Sequence, residues 1–151
     1  HGDRLWGAIS HLKAGMVDRL ADAARRGVVI DLVVHDTERR VPTGAVRELL
    51  EAGASIRRYR RPDRLPMHAK FIVMESGRGR TSYVGSLNYN RNSRWLNDEV
   101  LLTTTDPRLA ATLLARYAEI EREIDRQVPY KAGAPLKEVC RADGARLRRC
   151  P

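Results

Sequence analysis

Apolar residues along this chain change their spacing several times, and each change marks an element. In "HLKAGMVDRLADAARRG", Leu12, Met16, Leu20, Ala21 and Ala24 recur at helical spacing and Gly27 supplies a stop, which predicts a helix. The run "VVIDLVV" (28–34) is β-branched and nearly continuously apolar, the pattern of a strand covered on both faces. Thr43 stands where a cap would, ahead of a second helix in which Val46, Leu49 and Leu50 face inward and Gly53 ends the run. "RLWGAI" (4–9) and "ASIRRYR" (54–60) read as strands on either side. Strand and helix alternating through short links predict a sheet with parallel neighbours and covering helices.

After residue 66 the pattern changes. "HAKFIVME" and "TSYVGSLN" flank the turn "SGRGR" and should pair as an antiparallel hairpin, with "NDEVLLTTT" as a further strand. Asp106 and Pro107 form a cap and first turn for a long helix. Its stripe is Leu109, Leu113, Leu114, Tyr117, Ile120 and Ile124, and it ends before Pro129. No internal repeat is visible. The expected fold class is α/β: one domain over residues 1–127 with a mixed β-sheet and helices on both faces. Residues 128–151 are rich in Pro, Gly and Arg and read as a basic tail.

The chain has 151 residues, enough for one proper core and too few for two ordinary ones. No apolar stretch approaches the roughly 18 residues of a membrane span. The N-terminus has no initiator Met and no signal-peptide pattern, and it opens almost directly in structured-looking sequence. A mature product or an excised part of something longer is the expectation. Net charge is +9 and the pI about 10.2, which favours anionic partners: nucleic acid, an anionic membrane surface or phosphorylated substrates. Arginine-rich composition from a GC-rich genome is the alternative. Cys140 and Cys150 close the short basic loop "CRADGARLRRC", which predicts a disulfide and a secreted or otherwise extracytoplasmic setting; two unrelated thiols are the alternative.

Three segments place polar groups where core strands should have none. His68 and Lys70 share a strand face by the two-residue period, as do Ser86 and Asn88, and Asn97 and Glu99. If these strand ends are neighbours, an imidazole, an ammonium, a hydroxyl, two amides and a carboxylate converge. That inventory suits attack on a phosphodiester. The imidazole can form a covalent intermediate at phosphorus, while the ammonium and amides hold non-bridging oxygens. A carboxylate beside the imidazole would fix its tautomer. Gly85 would let backbone approach the phosphate closely. No carboxylate cluster has metal-ligand spacing, so the expected route needs neither metal nor cofactor.

"H-A-K" followed by Glu75, then "G-S-L-N" and "N-D-E", resembles the phospholipase D superfamily and its motif H-x-K-x4-D-x6-G-S. The likeness covers about residues 4–127 and implies one catalytic half of such an enzyme. By resemblance His68 is the nucleophile or the acid, and Lys70 and Asn88 bind phosphate. Ser86 supports the site, and Glu99 matches the acid that hydrogen-bonds a catalytic histidine. Two departures stand out: the motif aspartate is Glu75, and nine residues rather than six separate it from Gly85, so the hairpin turn is expected to carry an insertion. Glu75 has odd parity relative to His68 and Lys70, which favours structural support. The family's mechanism needs two histidines, so a second H-x-K half must come from an identical subunit or from the rest of a longer chain.

Other residues carry weaker signals. "RRYRRPDR" (57–64) holds five arginines around Tyr59 and, through Arg60, could steer an anionic substrate; a solvated basic edge is as plausible. Trp95 could line a substrate pocket or simply pack. His35 ends a strand, where open α/β sheets place ligand groups, but a plain loop histidine is the favoured reading. His1 and His11 have no supporting pattern. The leading expectation is a metal-free phosphodiesterase working through a phosphohistidine, with a phospholipid head-group ester as substrate. "GSLNYNRNSRWLNDEV" resembles the phospholipid-handling members and tilts the reading that way. The alternatives are a homodimeric endonuclease and a non-catalytic half that binds anionic phosphates.

Overall fold

The computed structural model describes residues 2–59, 67–88 and 98–124. Nine elements follow in order: β1 (Arg4–Ile9), α1 (Ala14–Arg25), β2 (Val29–His35), α2 (Thr43–Glu51), β3 (Ser55–Tyr59), β4 (Lys70–Ser76), β5 (Gly79–Gly85), β6 (Leu101–Thr104) and α3 (Pro107–Glu123). The strands form one mixed sheet in the order β3-β2-β1-β4-β5-β6. β1, β2 and β3 run parallel, while β4, β5 and β6 each run antiparallel to the strand before them in the sheet. The expected α/β class and mixed sheet are therefore correct.

Helices cover both faces, and the alternation of side chains sorts the two cores. On one face Leu5, Ile9, Ile30, Leu32, Val34, Ile56 and Ile72 pack with Val17, Leu20 and Ala21 of α1 and Val46 and Leu49 of α2. On the other, Ala8, Val33, Tyr59, Phe71 and Val73 pack with Ala110, Leu113, Tyr117 and Ile120 of α3. β2 supplies both cores, which is why its apolar run shows no alternation. Gly27 and Gly53 follow α1 and α2 with φ of 93° and 95°, a left-handed conformation that glycine adopts without a Cβ penalty.

Three local expectations need correction. Thr43 is the first helical residue of α2, and the extended Pro42 precedes it. The Glu38 carboxylate reaches forward to accept from Thr43 N at 2.8 Å and from the Thr43 hydroxyl, so a side chain five residues upstream does the capping. The β4–β5 turn is tight, with Ser76 paired to Gly79 and only Gly77 and Arg78 between them. The spacing between Glu75 and Gly85 is thus taken up in the ladder, not in an inserted loop. Finally, the strands are displaced from their expected bounds: β4 begins at Lys70, β5 ends at Gly85 and β6 begins at Leu101.

The one acidic residue inside "VVIDLVV" has a partner set on the α3 face. Tyr117 Oη donates to Asp31 Oδ1 at 2.9 Å, and Arg57 Nη2 reaches the same oxygen at 3.0 Å and also bonds Glu121. Tyr59 Oη donates to Glu123 Oε2 at 2.8 Å. Burial, reinforced by the Asp31 charge, pushes the Tyr117 phenol far above its ordinary value and keeps it a donor. Tyr117→Phe leaves Asp31 one donor short, and the expected loss is about 1–3 kcal/mol of unfolding free energy at unchanged m value, read by urea denaturation.

Candidate active site

The sheet topology gathers the polar strand ends on one rim. Ile9 at the end of β1 pairs with Lys70 at the start of β4, and Phe71 pairs with Val84 near the end of β5. Gly85 pairs in turn with Leu101 at the start of β6. Parallel β2 ends beside β1, with Val34 paired to Ile9. His68, Lys70, Ser86, Asn88 and Glu99 therefore share a rim with Ser10, His11 and His35. Among these, Lys70 and His35 alone lie inside a strand. The remainder sit on the backbone just beyond, so two-residue alternation is not what aligns them.

Contacts align them instead. Lys70 is 8% exposed, and its Nζ lies 3.0 Å from His68 Nε2 and 3.2 Å from Nδ1. It also donates to the His68 carbonyl at 3.1 Å, which fixes the ammonium beside the ring. The Ser86 hydroxyl donates to the Glu99 carboxylate and accepts from Val100 N at 3.0 Å, while Ser86 N donates to the Val100 carbonyl at 2.9 Å. Gly85 makes this junction possible: a Cβ there would lie 1.9 Å from the Val100 carbonyl oxygen. The close approach that Gly85 admits is therefore that of the neighbouring backbone. Glu99 in turn acts on Lys70, favouring its charged form.

Burial first, and neighbouring charge second, set protonation here. Burial lowers the pKa of Lys70, opposed by Glu99 and assisted by Arg40. His68 is lowered by desolvation first, then by Lys70 and Arg40. A lowered value keeps the imidazole neutral near pH 7, the state required of a nucleophile or base.

Two further residues belong to this rim. His11 follows β1 by two residues, and its pKa is lowered by burial, by Arg40 and by the charges of Lys70 and His68, while the Asn88 amide favours its protonated form. Arg40, in the link between β2 and α2, lowers the values of His11, His35, His68 and Lys70 alike. Its carbonyl accepts from Leu12 N at 3.1 Å, tying this link to the segment that carries His11. His35, favoured above as a loop residue, instead closes β2 at 4% exposure. The odd positions Leu5, Ile9 and His11 share a spacing that could have signalled the rim, but only the β1–β4 pairing reveals its neighbours.

The other expected residues separate. Glu75 pairs across the hairpin with Arg80, 2.6 Å from its Nε, and sits opposite Arg4 at the far end of β4 from Lys70. This contact links the two strands of the hairpin, away from the rim. Arg60, Trp95, Asn97, Cys140 and Cys150 lie outside the described residues.

A family model described as "Cardiolipin synthase, PLD-like domain" matches residues 3–121. The chain belongs to this family, and through it to the phospholipase D superfamily of phosphodiesterases. It is 34% identical over 96 residues to cardiolipin synthase A of Serratia proteamaculans, matching 60% of this chain and spanning only 18% of that relative's length. Among solved structures it is similar to Nuc, a phospholipase D family member from Salmonella typhimurium: TM-score 0.67, 20% identity, 81% of this chain and 80% of that one. NucT from Helicobacter pylori gives a TM-score of 0.62 at 17% identity, covering 80% of each chain. These likenesses establish the shared fold.

Two outcomes test the geometry. Gly85→Ala forces a methyl against the Val100 carbonyl and should part Ser86 from Glu99; a lowered thermal midpoint and displaced amide signals around Val100 are expected. Imidazole titration by NMR should place His11, His35 and His68 below the ordinary 6.5, with Lys70→Met moving His68 upward. Because the unfolded chain then binds more protons, stability should decline as pH falls below about 6.5.

Proposed function

We propose that this chain is one catalytic half of a phosphodiesterase that opens a phosphodiester, with a phospholipid head-group ester favoured, through a phosphohistidine at His68. The observation that carries this reading is the buried Lys70 ammonium held against the His68 ring, with the Ser86–Glu99 pair on the same rim. A ring nitrogen of His68 attacks phosphorus and the bond to the leaving alcohol breaks, a proton passing to its oxygen from a second imidazole. Water then attacks phosphorus, the P–N bond breaks with its electron pair returning to the ring, and the water proton goes to that same second imidazole. Lys70 and Asn88 hold the non-bridging oxygens, whose charge rises in each transition state. No metal is required of these steps.

The phospholipid preference draws on the family description and on the relative named as a cardiolipin synthase. A second reading, an endonuclease built from two copies, draws on the net charge of +9. Either reading calls for a second half. Among the described residues β6 is an edge strand beside the site, and Val100, Leu101 and Leu102 are 72%, 42% and 51% exposed. This is the kind of apolar edge that a second copy of the chain or the other half of a longer one would cover.

Head-group release from liposomes that persists with chelator is the expected result, and plasmid degradation in its place would favour the endonuclease. His68→Ala should lower turnover by about a thousandfold or more. An unchanged rate in that variant would leave a phosphate-binding half without catalysis. Sedimentation under assay conditions should show activity tracking the paired species.

A further inference from the structure

The same rim carries buried polar atoms that the chemistry above leaves unused. His35 is 4% exposed, and its Nε2 has no hydrogen-bond partner among the described residues. Its other ring nitrogen accepts from the backbone of Thr37 N at 3.1 Å. A backbone N–H is a fixed donor, so the neutral ring carries its own proton on Nε2. Asp36 Oδ1 lies 3.0 Å from Nδ1 and works the other way, toward a doubly protonated ring, but burial and Arg40 outweigh it. Arg40 has its Nη1 buried and likewise without a partner among the described residues. In either protonation state of the ring, two desolvated donors are left without acceptors.

These donors are near one another and near the catalytic rim. The Arg40 charge is felt at His35, His11, His68 and Lys70, and His11 acts on His35. The Leu12–Arg40 backbone bond joins the two segments that carry them. Of the other charged groups here, the Glu38 carboxylate is engaged by Thr43 and lies 3.9 Å from Arg58. Both segments follow the C-terminal ends of parallel strands, where open α/β sheets receive ligands. Unpaired buried donors beside a cation call for a ligand rich in acceptor oxygens.

We propose that His35, Arg40 and His11 form a second anion subsite beside the His68–Lys70 centre, and that it receives a phosphate of the substrate that is not itself cleaved. The assignment deepens the phosphodiesterase reading and rests on it for the identity of the ligand. The favoured substrate then becomes a phospholipid whose head group bears a second phosphate.

Inorganic phosphate is the probe, followed through the imidazole signals of the full chain. Two saturable steps are expected, one moving His35 and His11 and the other His68. Arg40→Met should weaken the His35 step by about tenfold or more. If phosphate moves His68 alone, or moves His35 as readily in Arg40→Met, the subsite is overturned. Should Arg40→Met not fold, Arg40→Lys is read the same way, with a weakened step in support and an unchanged one against. Because this measurement needs no turnover, a chain that binds phosphate at His35 yet cleaves no diester keeps the subsite and loses the phosphodiesterase reading. On liposomes, Arg40→Met should cost more kcat/KM with a two-phosphate lipid than with a one-phosphate lipid; equal losses would overturn the substrate assignment.

Discussion

Everything at the rim depends on one strand pairing, β1 against β4. It is the seam between a parallel half, β1 to β3, and an antiparallel half, β4 to β6. Reversal of direction at the seam puts the ends of β1 and β2 beside the beginning of β4. A slip by one residue would turn Lys70 to the α3 face and Phe71 toward α1 and α2. Register here is held by apolar burial on both sides, with Ile9 and Ile72 in one core and Ala8 and Phe71 in the other. The chemistry is thus positioned by packing that never touches it.

Burial of Lys70 sets the electrical character of the rim. An ammonium withdrawn from water is costly unless something answers it, and Glu99 does so only in part. Arg40 adds a second positive charge that four neighbouring groups register. The result is a set of imidazoles held toward their neutral form in a positive field. Ser86 and Gly85 contribute differently: they fix Glu99 through backbone contacts with Val100 rather than through charge.

Much of this was legible in the chain and some of it could not be. Elements were readable because periodicity is local: the α3 stripe, the both-faces burial of β2 and the Asp106–Pro107 start all follow from neighbours in sequence. His68, Lys70, Ser86 and Glu99 were readable as an ordered set of motifs, although their alignment comes from contacts beyond the strand ends. His11, His35 and Arg40 were not readable as one group, since their proximity depends on which strand lies beside which. Capping of α2 by Glu38 was hidden for a similar reason, as it depends on the path of a loop. The hairpin misled because residue spacing alone does not distinguish a longer turn from a longer ladder.

The Tyr117–Asp31 bond joins residues 86 positions apart. α3 follows β6 at one edge of the sheet, yet its hydrogen bonds reach back to β2 and β3 at the opposite side. It works as a strap laid across strands made much earlier. During synthesis the face bearing Val33, Asp31 and Tyr59 stays bare until the last described helix has emerged. Contacts of such range slow folding, because a long loop must close before they form. Closure of this face is therefore a late event, and its apolar residues need protection until then.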